Sequence, residues 1–284
     1  MGEHVQIFEM GPRDGLQNEA RIIPTADKIL LVDMLSDVGF AKIEVTSFVS
    51  PKWVPQMADA ADVLAGISRR AGTTYAALTP NMRGFNDAKL AQADEVAIFG
   101  SASEGFSQAN INCSIADSLE RFKPVLAAAK QAKIPVRGYI SCVIECPYDG
   151  VIAPNQVADL VATLMDMGCY AISLGDTIGA GVPASISMML EAVLTQVPAP
   201  KLAGHYHDTH GRALENIEVS LAMGLRIFDA AVAGLGGCPY APGAAGNVDT
   251  VKVAEMLEDQ GYKTGLDMQK LRTAAEFARR LRSK

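Results

Sequence analysis

The sequence predicts an α/β chain closed into a TIM-type (β/α)8 barrel, and three observations carry that reading. Short apolar, β-branched runs recur at a spacing of about 30–40 residues, and there are eight of them. Stretches with helical periodicity lie between them, and strands that alternate with helices pair in parallel. No GxGxxG follows the first strand, where the chain reads Met10-Gly11-Pro12-Arg13-Asp14-Gly15, which disfavours the runner-up, an open doubly wound sheet.

In chain order, strands are predicted at 5–9, 42–46, 74–78, 95–99, 136–141, 171–174, 202–206 and 227–231. Helices are predicted at 25–38, 58–68, 115–131, 155–167, 184–197 and 213–223. A glycine-rich loop, 234–246, follows the eighth strand and is expected over the barrel mouth. Two further helical stretches, 248–260 and 268–281, close the chain. No interdomain linker is visible, so residues 1–284 read as one catalytic domain: a barrel over about 5–247 and a C-terminal helical region over 248–284.

Composition narrows the function classes. Hydrophobic residues are 49% and charged residues 20%, which is globular and excludes a disordered or fibrous chain. Lys and Arg number 25 against 32 Asp and Glu, a net charge of −7, which argues against a nucleic-acid partner. No apolar run has the length of a membrane span. Five cysteines, odd in number and sparse, make a poor disulfide framework and point to a reducing compartment. The first strand begins almost at once, so a cytoplasmic, bacterial-type chain is expected, or a mitochondrial matrix protein whose transit peptide was removed.

In a barrel, catalytic groups sit at the C-terminal strand ends and in the loops that follow. This sequence places there Glu9, Arg13 and Asp14; Glu44, Thr46 and Ser47; Arg137, Tyr139 and Ser141; Ser173, Asp176 and Thr177; His205 and His207; and Cys238 and Asn247. His205-x-His207 is the sharpest signal, because residues i and i+2 of a strand share a face and two imidazoles there make a metal pair. The bland reading is a histidine-rich surface loop. Asp14 on the opposite side adds an anionic oxygen and Asn247 a neutral one, a mixed set suited to Mg²⁺, Mn²⁺ or Co²⁺. His210 is left out, since i+3 on a strand points away.

Arg13, always charged and planar, can stabilise a developing oxyanion, or be one half of a surface pair with Asp14. Glu44 lies in an otherwise apolar strand and needs a partner, for which Arg13 serves. Cys238, in Gly234-Leu-Gly-Gly-Cys-Pro-Tyr240, can donate a proton from a mobile loop, or be there for its size. Cys142-x-x-x-Cys146 has no second pair and reads as buried thiols rather than zinc ligands.

Six segments carry a resemblance. They are Gly11-Pro-Arg-Asp-Gly-Leu-Gln-Asn18, Thr46-Ser-Phe-Val-Ser-Pro-Lys-Trp-Val-Pro-Gln-Met57, Asn110-Ile-Asn-Cys-Ser114, Ser173-Leu-Gly-Asp-Thr-Ile-Gly179, His205-x-His-Asp-Thr209 and Val232-Ala-Gly-Leu-Gly-Gly-Cys-Pro-Tyr240. Together they resemble the 3-hydroxy-3-methylglutaryl-CoA lyases, over nearly the whole chain. The resemblance implies cleavage of that thioester to acetyl-CoA and acetoacetate. It implies a divalent cation, Mg²⁺ or Mn²⁺, on Asp14, His205, His207 and Asn247. It implies catalytic roles for Arg13, Asp14, Glu44, His205 and Cys238, and substrate contacts from Arg13, Tyr139, Ser173 and Asp176. An acyl-CoA is then the small-molecule partner, and a homodimer is expected.

Three rivals follow. A lyase for a larger 3-hydroxyacyl-CoA would differ in pocket volume. Condensing enzymes of the isopropylmalate or homocitrate synthase type usually read His-x-His-Asn-Asp, where this chain reads His-x-His-Asp-Thr. A barrel that binds acyl-CoA without catalysis would not need the metal set or Cys238.

Overall fold

The structure, a computed structural model, describes residues 2–238 and 241–283; the side chains of 237–245 and 283 lie outside the described residues. Eight strands form the barrel: β1 (Gln6–Glu9), β2 (Lys42–Ser47), β3 (Thr74–Leu78), β4 (Glu95–Ser101), β5 (Val136–Ser141), β6 (Ala171–Asp176), β7 (Leu202–Tyr206) and β8 (Ile227–Ala230). All neighbours pair in parallel, and the order β1-β8-β7-β6-β5-β4-β3-β2 closes on itself. This is the barrel the sequence predicts. β2, β4 and β6 run further than expected, to Ser47, Ser101 and Asp176.

The surrounding helices are α1 (Thr25–Val38), α2 (Ala60–Gly66), α3 (Met82–Leu90), α4 (Glu104–Ile111), α5 (Ile115–Ala132), α6 (Pro154–Met167), α7 (Pro183–Leu194), α8 (Ala213–Ala222), α9 (Thr250–Asp259) and α10 (Met268–Ser283). α3 and α4 go beyond the sequence-based expectation. They are only nine and eight residues long, too short for periodicity to reveal. Their starts are set locally: Asn81 and Ser103 accept from the backbone N–H of Gly84 and Phe106. The helix expected at 58–68 is present as α2, two residues shorter at each end, and a 3₁₀ turn at Pro55–Met57 precedes it.

Strand alternation sorts the side chains. Ile43, Val45, Val136, Ile140, Ile172, Leu174, Leu202, Tyr206 and Phe228 face the helices and form the main core. Each such fully buried aliphatic or aromatic side chain contributes about 1.5–3 kcal/mol. Phe8, Met10, Ala76, Leu78, Ala97 and Tyr139 form a second cluster inside the barrel. Lys42, Glu95 and Tyr170 hydrogen-bond to one another near the strand starts, closing the floor.

α10 packs against α1. The segment between α9 and α10 is tied to the foot of β1, with Val5 N donating to Lys263 O at 3.0 Å and Lys263 N to Glu3 O at 2.9 Å. No helix among the described residues is long and apolar enough to cross a membrane.

Candidate active site and metal centre

The chain leaving β1 makes a π-type turn, Gly11–Gly15, which carries Arg13 and Asp14. Glu9 anchors this turn from below. Its carboxylate accepts from Gly11 N at 2.8 Å, Val232 N at 2.8 Å and Thr250 Oγ1 at 2.7 Å, joining β1 to the segments after β8. A Cβ on residue 11 would lie 2.7 Å from Glu9 Oε1, so the close approach requires glycine. Burial pushes the Glu9 carboxyl up to about 7, against these hydrogen bonds.

Above Glu9 lies a ring of buried polar groups. Arg13 Nη1 donates to Asp14 Oδ1, and Arg13 Nε to Glu44 Oε2. Tyr139 OH donates to Glu44 Oε1 at 3.0 Å and accepts from Arg137 Nη1 at 3.3 Å. Arg137 Nη2 donates to Asp229 Oδ1 at 2.7 Å, and Asp229 Oδ2 lies 3.2 Å from His205 Nδ1. His205 Nε2 lies 3.9 Å from Asp14 Oδ2, which returns the ring to its start. Ionised, the three carboxylates Asp14, Glu44 and Asp229 outnumber the two guanidiniums of Arg13 and Arg137, so one negative charge is left over.

Electrostatics differ around the ring. Burial would raise the Asp14 carboxyl, but Arg13, both imidazoles and Asn247 hold it well below the usual carboxylate range. Burial pushes Glu44 above its ordinary value against the pull of Arg13. Asp229 is pulled down to about 2 by Arg137 and His205, against its burial. Burial lowers His207 to about 4, assisted by His205, so its imidazole is neutral at pH 7. Burial lifts the Tyr139 phenol well above its normal value, leaving it a neutral donor.

Asp14, His205 and His207 each offer one ligand atom, and these atoms lie within 4.8 Å of one another, a grouping of the size that holds a metal ion. No other such cluster of His, Cys, Asp and Glu occurs among the described residues. The fit to a cation is chemical as well as geometric. The buried Nδ1 of His207 has no hydrogen-bond partner, and a buried donor atom left so is costly unless a ligand takes it. The Asp14 carboxylate is ionised and the His207 imidazole neutral. Nitrogen and carboxylate donors suit a divalent cation harder than those thiolates select.

Asn247 reaches the same place from the far side of the glycine-rich loop. Its backbone bridges His207, and its Nδ2 donates to Asp14 Oδ2 at 2.8 Å. The amide nitrogen, not the oxygen, faces Asp14 here. The loop closes tightly: Gly236 has φ +98°, and a Cβ there would lie 2.9 Å from Asn247 Nδ2. Gly237–Cys238 pairs antiparallel with Ala241–Ala245. The side chain of Cys238 lies outside the described residues. Cys113, Cys142, Cys146 and Cys169 are free and buried, as their sequence contexts imply.

The remaining expected substrate groups divide. Tyr139 and Ser173 line the mouth. Ser173 Oγ is also committed, donating to Asp229 Oδ2 at 2.7 Å. Asp176 lies outside the cavity lining. It stands three residues after Ser173 on the same strand, so it shares the helix-facing side of Ile172 and Leu174. Its carboxylate is fully buried and accepts from Ala180 N at 3.1 Å and Gly181 N at 2.8 Å, shaping the loop after β6. Burial raises it to about 6. Sequence reasoning missed Asp229 and gave Arg137 no role. The signal was available: Arg137 and Tyr139 share one face of β5, and Asp229 alternates with the core residues Phe228 and Ala230 of β8.

A cavity of about 800 Å³ opens over the ring. Arg13, Asp14, His205 and His207 line its floor, Leu78, Phe99 and Phe106 an apolar wall, and Asn110, Asn112 and Arg121 its polar rim.

The HMGL-like family model matches residues 4–278. The chain belongs to this family. Among HMGL-like relatives, the 3-hydroxy-3-isohexenylglutaryl-CoA/hydroxy-methylglutaryl-CoA lyase of Pseudomonas aeruginosa is 58% identical over 272 residues, 96% of this chain and 91% of that one. The crystal structure of the HMG-CoA lyase from Brucella melitensis is 60% identical, covers 99% of this chain and 100% of its own, and superposes with a TM-score of 0.98. An HMG-CoA lyase from Acinetobacter baumannii in complex with coenzyme A and 3-methylmalate is 36% identical, covers 99% and 92%, and has a TM-score of 0.94.

Proposed function

We propose that this member of the HMGL-like family is a divalent-cation-dependent carbon–carbon lyase that cleaves 3-hydroxy-3-methylglutaryl-CoA to acetyl-CoA and acetoacetate. The observation that carries the reading is the convergence of Asp14, His205 and His207 beside the buried guanidinium of Arg13, in the floor of one cavity. The coenzyme A and 3-methylmalate held by the Acinetobacter baumannii neighbour support an acyl-CoA as the ligand.

Breaking the C2–C3 bond takes a proton from the C3 hydroxyl and moves the bonding pair onto the thioester carbonyl as an enolate, which is then protonated at C2. Asp14, His205, His207 and Asn247 would hold the cation, which when bound supplies a Lewis acid that lowers the pKa of a coordinated hydroxyl. Asn247 would offer its amide oxygen, so its amide turns over relative to the arrangement facing Asp14. Arg13 stabilises the negative charge that develops on the thioester oxygen. Glu44 fixes Arg13 through Nε, and Tyr139 fixes Glu44. Cys238, on the glycine-rich hairpin, is the proton donor to C2, and that hairpin excludes water when it closes.

The test follows acetoacetate formation from the thioester by the purified protein, before and after EDTA, with Mg²⁺ or Mn²⁺ restored. Turnover that survives complete cation removal sinks the reading. Iodoacetamide labelling with peptide mapping tests Cys238: substrate should protect it, and inactivation that tracks another cysteine removes it from the mechanism.

A second reading has an observation behind it. The Pseudomonas aeruginosa relative is named for an isohexenyl-substituted substrate as well, and the 800 Å³ cavity has an apolar wall. A panel of 3-hydroxyacyl-CoA thioesters with growing C3 substituents separates the two. A homodimer and a cytoplasmic location complete the proposal; light scattering and cell fractionation test them.

A further inference from the structure

Asp229 is the hub of the ring. It is 2% exposed, and both its oxygens are occupied: Oδ1 by Arg137 Nη2 at 2.7 Å, Oδ2 by Ser173 Oγ at 2.7 Å and by His205 Nδ1 at 3.2 Å. Its ion pair with the buried Arg137 makes it a carboxylate, and a carboxylate only accepts hydrogen bonds. The hydroxyl of Ser173 is therefore a donor to it, and the His205 Nδ1 beside the same oxygen must carry a proton. A neutral imidazole protonated at Nδ1 has its lone pair at Nε2. That Nε2 lies 3.9 Å from Asp14 Oδ2, too far for a direct hydrogen bond. It is within the span of about 4 Å available to two atoms that each sit about 2.1 Å from one cation.

We infer that Asp229 is a positioning residue for the cation site: braced by Arg137 and Ser173, it holds His205 in the tautomer that turns its free nitrogen toward Asp14. This rests on the cation reading above for its purpose, but not for its geometry. Arg137 is itself braced. Its guanidinium lies 4.5 Å from the Phe8 ring centroid and 5.1 Å from that of Tyr139, so it cannot swing away from Asp229 without losing both faces. Ser173, expected from the resemblance to touch substrate, acts here through Asp229. Outer carboxylates of this kind set both the tautomer and the aim of a ligating histidine, and their loss typically costs 10–100-fold in metal affinity.

The test uses the whole protein. Long-range ¹⁵N–¹H NMR of the EDTA-treated wild type reads the tautomer of His205, with the four histidines assigned by substitution. The expected pattern is protonated Nδ1 and bare Nε2. Asp229→Asn keeps the shape but can turn an N–H toward Nδ1, since Arg137 claims the oxygen. It should shift His205 toward protonated Nε2, and Mn²⁺ titration by calorimetry should show affinity weakened roughly 10–100-fold. A wild-type spectrum with His205 protonated at Nε2 overturns the inference, and so does a folded Asp229→Asn protein with unchanged tautomer and unchanged Mn²⁺ affinity. If Asp229→Asn does not fold, the wild-type spectrum decides alone. A wild type that binds no Mn²⁺ but shows the expected tautomer removes the cation reading and leaves the Asp229–His205 geometry standing.

Discussion

Toward the mouth, β3 and β4 present Ala76, Leu78, Ala97 and Phe99 to the barrel interior, whereas β5 to β8 present Arg137, Tyr139, Ser173, His205 and Asp229. The two sides meet at Phe8, whose ring packs with the apolar set and carries Arg137 on its face. The apolar wall costs nothing to bury and asks only for shape. The charged wall is stable only because each group has a partner, since a buried charge left alone is far costlier than its pair is favourable. One wall can therefore lose a methyl group and keep its function, while the other fails as a unit.

That contrast can be broken most sharply at His207. His207→Ala should lose divalent-cation binding and turnover together, read by Mn²⁺ calorimetry and by the cleavage assay. Near wild-type cleavage by this variant after cation stripping would show that the charged wall holds no functional metal.

Arg13→Gln comes next. It should lower kcat by at least about 10²-fold with a much smaller change in substrate affinity, because the guanidinium acts on charge that develops in the transition state. It should also destabilise the fold by about 3–5 kcal/mol, because the buried Glu44 loses its cationic partner and keeps only the Tyr139 hydroxyl. A fall in Tm with kcat unchanged would make Arg13 purely structural and reduce the charged wall to a scaffold.

The apolar wall should answer differently. Leu78→Ala should cost about 2–5 kcal/mol in stability, toward the low end because the residue borders an open cavity. Mn²⁺ affinity should stay at the wild-type value. A Leu78→Ala protein that binds Mn²⁺ much more weakly would show that the walls are coupled rather than separate.

An effect visible only as a slope with pH lies beneath both walls, at Glu9. Its folded-state value of about 7 is above the ordinary 4.5, so between those values the folded protein binds the extra proton. Its contribution therefore falls as pH rises from 4.5 to 7, by about 3 kcal/mol in all, and is flat above that window. Glu9→Gln should remove this slope. Denaturant melts at a series of pH values measure it, and an identical slope in the variant assigns it to another group, with Asp176 the first to examine.

Much of this molecule was legible before any contact was known. The eight strands followed from apolar runs whose spacing allows a helix between each, because a parallel strand must be reached by a crossover. Asp14, His205 and His207 were legible because strand alternation and barrel topology together dictate which ends share a mouth. The same arithmetic turns Asp176 to the other face of its strand from Ser173, since three residues on a strand reverse the face. α3 and α4 were missed because short capped helices are set by a single side chain, Asn81 or Ser103, rather than by a repeat.

What the sequence determined by itself was local: where strands alternate, where glycine is compulsory, and which side chains can bind a proton or a metal. The ring from Asp14 through Arg13, Glu44, Tyr139, Arg137 and Asp229 to His205 was decided only by the tertiary structure. Its members come from four strands and one turn, and a hydrogen bond depends on tenths of an ångström that no spacing in the chain encodes. The fate of Asp229 shows the reason. In the sequence it is one acidic residue among apolar neighbours; closure of the barrel brings Arg137, from a strand 92 residues away, to within 2.7 Å, and only that contact makes a buried carboxylate stable enough to aim a histidine.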